Sequence, residues 1–301
     1  MPFHSFIDYL KIEKRYSPLT IRAYTDDLQH FLAFLSEQYD LHEPAQAKRD
    51  MIRDWIATLV DKNYKPTSVN RKLSSVKGFF RFVKLTGQRE DNPTQGLRNL
   101  KSPKRLIRTP TQDDLRILLE DLPFGEGFKG LRDRMMMTLL YLTGMRRSEI
   151  ISLRAEDVDV RSGYLRIIGK GNKERQLPIP SMLARLIDEY LRSRSEIIGE
   201  HTGPFFITEK GKKVYPGLVH AVVNHYLREV TTLKKASPHV LRHAFATHLL
   251  QQGANLNAIK ELLGHENLAA TQVYTHVEID KLKSVYNQAH PRNSEEGGHK
   301  S

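Results

Sequence analysis

Side chains suited to chemistry concentrate between Ser237 and His276, in SPHVLRHAFATHLLQQGANLNAIKELLGHENLAATQVYTH. Ser237 followed by Pro238 is typical of a helix start. His239 then lies in the first turn, where unpaired backbone N–H groups and the helix dipole favour an anion. Arg242 follows at the i+3 spacing, so the two side chains share one face of the helix. This stretch therefore predicts an anion site.

Two further polar side chains follow a second short helix, predicted at Leu256 to Leu263 and ended by Gly264. His265 comes directly after this stop, and Tyr274 follows nine residues later. A single tyrosine is usually a half-buried residue with its hydroxyl on a partner. Beside an anion held by arginine and histidine, however, a phenol can act as a nucleophile. The combination predicts phosphate chemistry with Tyr274 as the attacking group.

A metal site is the competing interpretation of the histidines. His239 and His243 have the spacing of two zinc ligands on one helix, but no HExxH motif surrounds them and the chain has no cysteine. His243 and His248 are five residues apart and point to different sides of the helix. We therefore expect no metal and no cofactor.

A second arginine follows a nearly continuous apolar helix, predicted at Leu131 to Leu142. The methionines at 135–137 are expected to fill the core of the protein. Gly144 stops the helix, and Arg146 comes immediately after the stop. Glu149, three residues later, is within reach of that guanidinium and can hold it in place. An arginine at a buried helix end is rare without a purpose.

Residues 158–180, VDVRSGYLRIIGKGNKERQLPIP, change from helical to strand periodicity. Turns at Ser162-Gly163 and at Lys170-Gly171-Asn172 predict a hairpin, and the absence of GxxxxGK[ST] argues against a phosphate-binding P-loop. Lys170 lies on the second turn, where a long cationic side chain can reach inward. Taken alone, it is an ordinary solvated lysine.

Residues 1–98 predict a helical domain, with helix starts at Ser17-Pro18 and Lys65-Pro66. The helix after Pro66 has a basic and polar face opposite its apolar stripe. Such a face is usually only solvated, but in a basic protein it is the best candidate for contact with a nucleic-acid groove or phosphates. The face consists of Asn70, Arg71, Ser74, Lys77 and Arg81.

A basic linker is predicted at residues 99–109, NLKSPKRLIRT. Lys101, Lys104 and Arg105 can follow a polyanion between two domains, although the segment can equally be a simple tether. Beyond it, residues 110–290 form the predicted second domain, and the polar segment at 291–301 is expected to be disordered.

The whole chain of 301 residues has a formal net charge of +12 and 39% hydrophobic residues. This length and composition suffice for two packed domains, and the charge makes a polyanion the first partner to consider. The lack of cysteine excludes disulfides and fits a reducing compartment. No apolar run approaches a membrane span, and the first residues lack a signal-peptide pattern. We expect a cytoplasmic protein.

Four motifs in this order resemble those of the tyrosine recombinases, most closely the bacterial Xer chromosome-dimer resolvases. They are TGMRRSEI at 143–150, GKGNKER at 169–175, HVLRHAFATHLL at 239–250 and LLGHENLAATQVYTH at 262–276. The resemblance also covers RYSPLTIRAYTDDLQHFLAFL at 15–35, and hence nearly the whole chain.

The resemblance implies a role for each candidate residue. Arg146 and Arg242 match the two arginines that bind the scissile phosphate, with Glu149 as the acidic support of the first. Lys170 matches the lysine that protonates the leaving oxygen. The remaining matches are His239 and His265 for the two histidines of the family and Tyr274 for the nucleophile.

The resemblance also implies a fold and partners. The fold would be mainly α-helical with a small antiparallel sheet, as a SAM-like core-binding domain followed by a mixed catalytic domain. The partners would be double-stranded DNA with inverted half-sites, related recombinases in a tetramer, and a DNA translocase such as FtsK. The expected reaction proceeds through a 3′-phosphotyrosyl intermediate and a Holliday junction, without metal or ATP, at a dif-like site.

Three alternatives remain at this point. An integrase of a phage, integron or conjugative element would share the chemistry, but the compact length without a further arm-binding domain favours the Xer type. A type IB topoisomerase would relax supercoils without a partner site. A catalytically silent DNA-binding protein would have no need for all six catalytic positions. The DNA site, the type of Xer partner, the translocase surface, the order of cleavage and the base for Tyr274 do not follow from the sequence.

Overall fold

The structure, a computed structural model, describes residues 3–102, 108–169, 174–179, 181–233 and 236–264. The chain divides into two compact units, residues 1–105 and 106–301. The boundary between them falls inside the segment predicted as a linker, and the predicted tail at 291–301 lies outside the described residues. Within the described ranges, no helix has the length and apolar character needed to cross a bilayer.

The described part of the first unit is helical, as its periodicity predicts. The hydroxyl of Ser17 accepts a hydrogen bond from the Thr20 backbone N–H at 3.2 Å, and Pro18 is the first helical residue of α2. Pro66 is likewise the first residue of α4, but no side-chain hydrogen bond from Lys65 caps this helix. The elements are α1 (His4–Ile12), α2 (Pro18–Tyr39), a 3-10 turn (Pro44–Gln46), α3 (Arg49–Asp61) and α4 (Pro66–Leu85).

Aromatic rings form much of the core of this unit. Trp55 of α3 is fully buried, and its ring centroid lies 4.9 Å from that of Phe31 on α2. Phe79 of α4 meets Phe3 at the same centroid distance of 4.9 Å, edge to face. Such pairs remove large apolar surfaces from water. They fix the apolar face of α4 against the core.

The second unit surrounds a helix that is buried along most of its length. Met135, Met136 and Met137 are fully buried in α6, so the prediction that they fill the core is confirmed. The described elements are α5 (Gln112–Arg116) with a following π turn (Ile117–Asp121), α6 (Gly127–Thr143), α7 (Arg147–Ser152), a 3-10 turn (Ala155–Asp157), β1 (Val158–Asp159), β2 (Tyr164–Ile168), β3 (Glu174–Pro178), α8 (Ser181–Ile198), α9 (Pro216–Val230), α10 (Pro238–Gln251) and α11 (Leu256–Leu263).

The small antiparallel sheet has the order β1-β2-β3 among the described residues. Leu165 lies opposite Leu177, and both side chains are buried. Side chains of a strand alternate between two faces, so these leucines anchor one face of the hairpin to the core. The prediction of a mainly helical protein with a small antiparallel sheet is confirmed.

Two local features differ from what the sequence indicates. The short apolar run at residues 204–207, PFFI, is typical of a strand, but these residues form isolated bridges, between Pro204 and Arg154 and between Ile207 and Lys213. Proline cannot donate a ladder hydrogen bond, which limits strand pairing there. α10 begins at Pro238 as predicted, but the hydroxyl of Ser237 makes no capping hydrogen bond.

Candidate active site

A tight turn between α6 and α7 places Arg146. Gly144 follows the last residue of α6 and has a φ of 58°. A Cβ at this position would lie 2.5 Å from Cδ1 of Phe245 and 2.8 Å from Cδ2 of Leu263. Glycine is therefore required both by the left-handed backbone and by the close approach of these side chains. The predicted stop at Gly144 is confirmed, and Arg146 becomes the residue that immediately precedes α7.

Glu149 holds both the main chain and the side chain of Arg146. The backbone N–H of Arg146 donates to Oε2 at 2.9 Å, and its Nη1 donates to Oε1 at 2.8 Å. Nη2 of Arg146 donates to the carbonyl of Gly264 at 3.0 Å. The side chain of Glu149 is 3% exposed and that of Arg146 is 31% exposed. The predicted contact is present, and the guanidinium is fixed while part of it faces solvent.

A second arginine shares this carboxylate. Arg175 of β3 donates from Nη2 to Oε2 of Glu149 at 2.7 Å and from Nη1 to Oε1 at 3.2 Å. This forked geometry suits a guanidinium and a carboxylate. The pair joins the hairpin to α7 across 26 residues of sequence.

The environment keeps Glu149 ionised. Burial by itself raises the pKa of Glu149, but the hydrogen bonds and charge of Arg175, together with the bonds from Arg146, outweigh it and lower the pKa below its ordinary value. The carboxylate therefore stays a permanent counter-ion at neutral pH.

Arg242 is held by main-chain oxygens at the ends of two helices. Its Nη1 donates to the carbonyl of Gly144 at 2.6 Å, and its Nη2 donates to the carbonyl of Leu263 at 2.5 Å. Carbonyls at a helix C-terminus have no acceptor role within the helix and carry partial negative charge. Burial, followed by the charge of Arg146, lowers the pKa of Arg242 to about 10. Arg242 is therefore still protonated at neutral pH.

The described site thus combines three guanidinium groups with one carboxylate, which leaves two net positive charges. Arg146 and Arg175 both bond to Glu149. Arg242 bonds to the carbonyl of Leu263, the residue before Gly264, whose carbonyl Arg146 contacts, so the groups lie close together. Such a cluster can stabilise an anion that gains charge during a reaction.

The remaining candidates are divided by what the structure describes. His239 is exposed in the first turn of α10, one turn before Arg242. Lys170, His265 and Tyr274 lie outside the described residues. Gly169 after β2 and Gly264 after α11 are the described neighbours of Lys170 and His265.

The polar face of α4 makes contacts within its own unit. Asn70 accepts from the Leu100 N–H at 2.7 Å and donates to the Leu100 carbonyl at 2.9 Å. Lys77 donates to the carbonyl of Leu97 at 2.7 Å. These bonds fasten residues 97–100 to the helix.

Arg71 and Ser74 also bond internally, to the buried Asp27 and to the carbonyl of Asn70 respectively. Arg81 and Lys101 are exposed. Lys104 and Arg105 lie outside the described residues. The DNA contacts predicted for these eight residues stay predictions.

Arg175 had no role in the predictions, although a signal was present. In β3 the inward positions alternate, and Leu177 occupies one of them. Arg175 is two residues away and therefore shares that inward face. An arginine in register with a buried leucine implies a buried acidic partner.

Comparison with known proteins decides the family. Residues 111–280 match the family model described as the phage integrase family, and residues 3–87 match the phage integrase N-terminal SAM-like domain. A tyrosine recombinase XerC of Pelobacter propionicus is 38% identical over 287 residues, which cover 94% of this chain and 93% of the relative. The chain belongs to the phage integrase family of tyrosine recombinases. As a tyrosine recombinase it is an enzyme that cleaves and rejoins DNA.

Further comparisons agree with this family. A tyrosine recombinase XerC of Thermodesulfovibrio yellowstonii is 35% identical over 298 residues, or 97% of each chain. The XerH site-specific recombinase bound to palindromic difH substrate matches with a TM-score of 0.70 and 20% identity, over 94% of this chain and 83% of that one. The Tn1549 transposon integrase in complex with transposon right end DNA gives a TM-score of 0.69 at 17% identity, over 94% and 98%. These structures show that the recombinase fold is shared.

Proposed function

We propose that this tyrosine recombinase is a Xer-type enzyme that resolves chromosome dimers at a dif-like site. The observation that carries the proposal is the cluster of Arg146, Arg175 and Arg242 around the buried Glu149, with its two net positive charges. A phosphodiester under attack gains negative charge on its non-bridging oxygens, and preorganised guanidinium groups stabilise that charge. The XerC relatives, similar over nearly the whole chain, favour the Xer type.

The proposed cleavage step is a transesterification. Oη of Tyr274 forms a bond to phosphorus while the bond from phosphorus to the 5′ oxygen breaks. His239 accepts the phenol proton, and Lys170 donates a proton to the leaving 5′ oxygen. A phenol has an ordinary pKa of about 10, so it needs such an acceptor near neutral pH.

Arg146 and Arg242 bind the non-bridging oxygens in this scheme, and His265 adds a hydrogen bond. Losing one such contact raises the activation free energy of cleavage by about 3 kcal/mol. The 3′-phosphotyrosyl ester conserves the energy of the broken bond, so a free 5′-hydroxyl of a partner duplex can attack it without ATP. Exchange of two strand pairs in sequence passes through a Holliday junction.

The proposed partners follow from this reaction. The DNA substrate has inverted half-sites, and four recombinase subunits, of one kind or two, act on two such duplexes. A translocase such as FtsK would bring the two sites together in the cytoplasm during cell division. The net charge of +12 supports a polyanionic partner.

A covalent trapping assay tests the proposal. The native protein and Tyr274→Phe are each incubated with a duplex that carries the candidate terminus-region resolution site, nicked near the cleavage position. The native protein should give a slow band that survives boiling in detergent. Tyr274→Phe should bind the same duplex in a gel-shift assay and give no such band.

Each outcome has a distinct meaning. An adduct with Tyr274→Phe would refute the assigned nucleophile. Binding without an adduct from the native protein, also after addition of a candidate partner recombinase, would refute this DNA site. An adduct with a mobile-element end instead would favour an integrase of such an element.

A further inference from the structure

Arg175 is the more buried of the two arginines that share Glu149. Its side chain is 9% exposed, against 31% for Arg146. Both of its Nη atoms donate to Glu149, and its Nε is buried without an acceptor among the described residues. Arg175 is therefore directed at the carboxylate, whereas Arg146 retains a solvent-facing side.

The four donors around Glu149 fill its carboxylate. Nη1 of Arg146 and Nη1 of Arg175 donate to Oε1, while the N–H of Arg146 and Nη2 of Arg175 donate to Oε2. An ionised carboxylate offers about four acceptor positions, so none remains open. Arg146 consequently contributes one Nη to Glu149, and its other Nη reaches Gly264 at 3.0 Å.

Without Arg175 this division would change. Both oxygens of Glu149 would have an open position, and a lone arginine pairs best with a carboxylate through two parallel bonds. Arg146 would then turn its second Nη from Gly264 to Glu149. The N–H groups of Arg146 would then no longer face the position proposed for the scissile phosphate.

Gly264 shows how closely the groups are packed. A Cβ on Gly264 would lie 3.4 Å from Nη1 of Arg175 and 3.6 Å from Nη1 of Arg146. Both guanidinium groups therefore sit against the backbone that leads to His265. A shift of Arg146 would therefore also displace the backbone at Gly264.

We propose that Arg175 is a positioning residue for DNA cleavage, which occupies Glu149 so that Arg146 keeps donors free for the scissile phosphate. The inference rests on the proposed cleavage reaction. Arg175 acts through Glu149 and makes no contact with the phosphate itself.

A double-mutant cycle measures this route. The rate of covalent adduct formation on the nicked duplex is compared for the native protein, Arg175→Gln, Glu149→Gln and the double variant. Arg175→Gln should lower the rate about tenfold to a hundredfold, the loss typical when a residue that orients a ligand-binding side chain is removed. In the Glu149→Gln background the same change should alter the rate by less than about twofold, because both changes break one route.

The pH dependence gives a readout that a purely structural role would not move. In Arg175→Gln the burial that raises the pKa of Glu149 remains, while the strongest opposing contact is lost. Glu149 then takes up a proton at a higher pH, so cleavage should decline earlier as the pH falls. Arg175→Lys keeps the positive charge but loses the forked pair of hydrogen bonds. Its cleavage rate should therefore decline with falling pH as in the native protein (the acid limb of the pH–rate profile), but only part of the native rate should return.

Arg166→Gln is the matched control. Arg166 lies on β2 of the same hairpin and pairs with another buried carboxylate, Asp157, through Nε at 2.9 Å and Nη2 at 2.7 Å. It has no contact with Glu149 among those described. This control should keep the native acid limb and most of the native rate.

The outcomes separate the inference from the function on which it rests. Absence of an adduct from the native protein would overturn the proposed function and the inference with it. A cleaving native protein with equal losses in Arg166→Gln and Arg175→Gln, additive effects in the cycle, or an unmoved acid limb would overturn the inference alone. A phosphorothiolate substrate, whose sulfur leaves without protonation, should not rescue Arg175→Gln; full rescue would place its effect on Lys170 instead.

Discussion

The guanidinium of Arg242 is oriented by two carbonyl oxygens, those of Gly144 and Leu263, at 2.6 and 2.5 Å. Because the two acceptors terminate different helices, one planar fork with two donors fixes the ends of α6 and α11 together. The ammonium group of a lysine, a compact charge on a flexible side chain, cannot bond to both carbonyls with the same geometry. The residue thus has a structural requirement for arginine in addition to its proposed contact with the phosphate.

Arg242→Lys should therefore lower the rate of adduct formation by about a hundredfold or more, since a transition-state donor is lost together with the orientation of the remaining charge. Single-turnover kinetics on the nicked duplex would measure this. DNA binding by gel shift should change much less, because one positive charge is retained.

His243→Gln provides the comparison for Arg242→Lys. His243 is the next residue on α10 but is exposed, and it has no proposed role. It should cleave at nearly the native rate. Near-native cleavage by Arg242→Lys as well would show that charge alone matters at this position, contrary to the argument from its two carbonyl acceptors.

At the scale of elements, the turn after α6 determines where the arginines meet. Gly144 has a φ of 58°, and its Cα faces Phe245 of α10 and Leu263 of α11. α6, α10 and α11 can approach only because this residue has no side chain. The same approach brings the carbonyl of Gly144 to Arg242.

Gly144→Ala should destabilise the protein by about 2–5 kcal/mol. A left-handed alanine costs about 1–2 kcal/mol, and forcing a methyl group into a packed core adds about 1–3 kcal/mol. Chemical denaturation of the full chain followed by circular dichroism would measure the loss. Cleavage should fall as well, because the methyl group displaces Phe245 or Leu263.

Gly163→Ala separates the two causes. Gly163 also has a positive φ, 72°, but a Cβ there would meet nothing within 4 Å. This variant should lose only the backbone contribution of about 1–2 kcal/mol and keep its cleavage rate. If both alanine variants lost equal stability, the packing argument for Gly144 would be wrong.

The elements also show what a sequence can and cannot predict here. The starts of α2, α4 and α10 at Pro18, Pro66 and Pro238 and the stop at Gly144 depend on local chemistry, and all four are confirmed. The contacts of Arg242 with Gly144, and of Arg146 with Gly264, join residues 98 and 118 positions apart. Such pairs arise from tertiary packing, which the periodicity of a single segment does not encode.

At the scale of the whole molecule, some of the basic and polar side chains are used in internal contacts. On α4, Asn70 and Lys77 hold residues 97–100, and Arg71 is paired with Asp27. Bonds of this kind tie up donors that a phosphate would otherwise use. Among the predicted DNA-contact residues, Arg81 and Lys101 are exposed, and we expect these two cations to bind phosphate.

Binding of duplex DNA should weaken steeply with salt, because each phosphate neutralised releases counterions. Six to ten phosphate contacts would correspond to a loss of about 10³–10⁵ in affinity between 50 and 200 mM salt. Arg81→Gln should reduce the slope of log affinity against log salt by about 0.9.

Asn70→Ala, on the same helix, is the control. It should leave the slope unchanged and loosen residues 97–100, which hydrogen exchange would measure. An unchanged slope in Arg81→Gln would show that Arg81 does not bind a DNA phosphate and that other basic residues make these contacts.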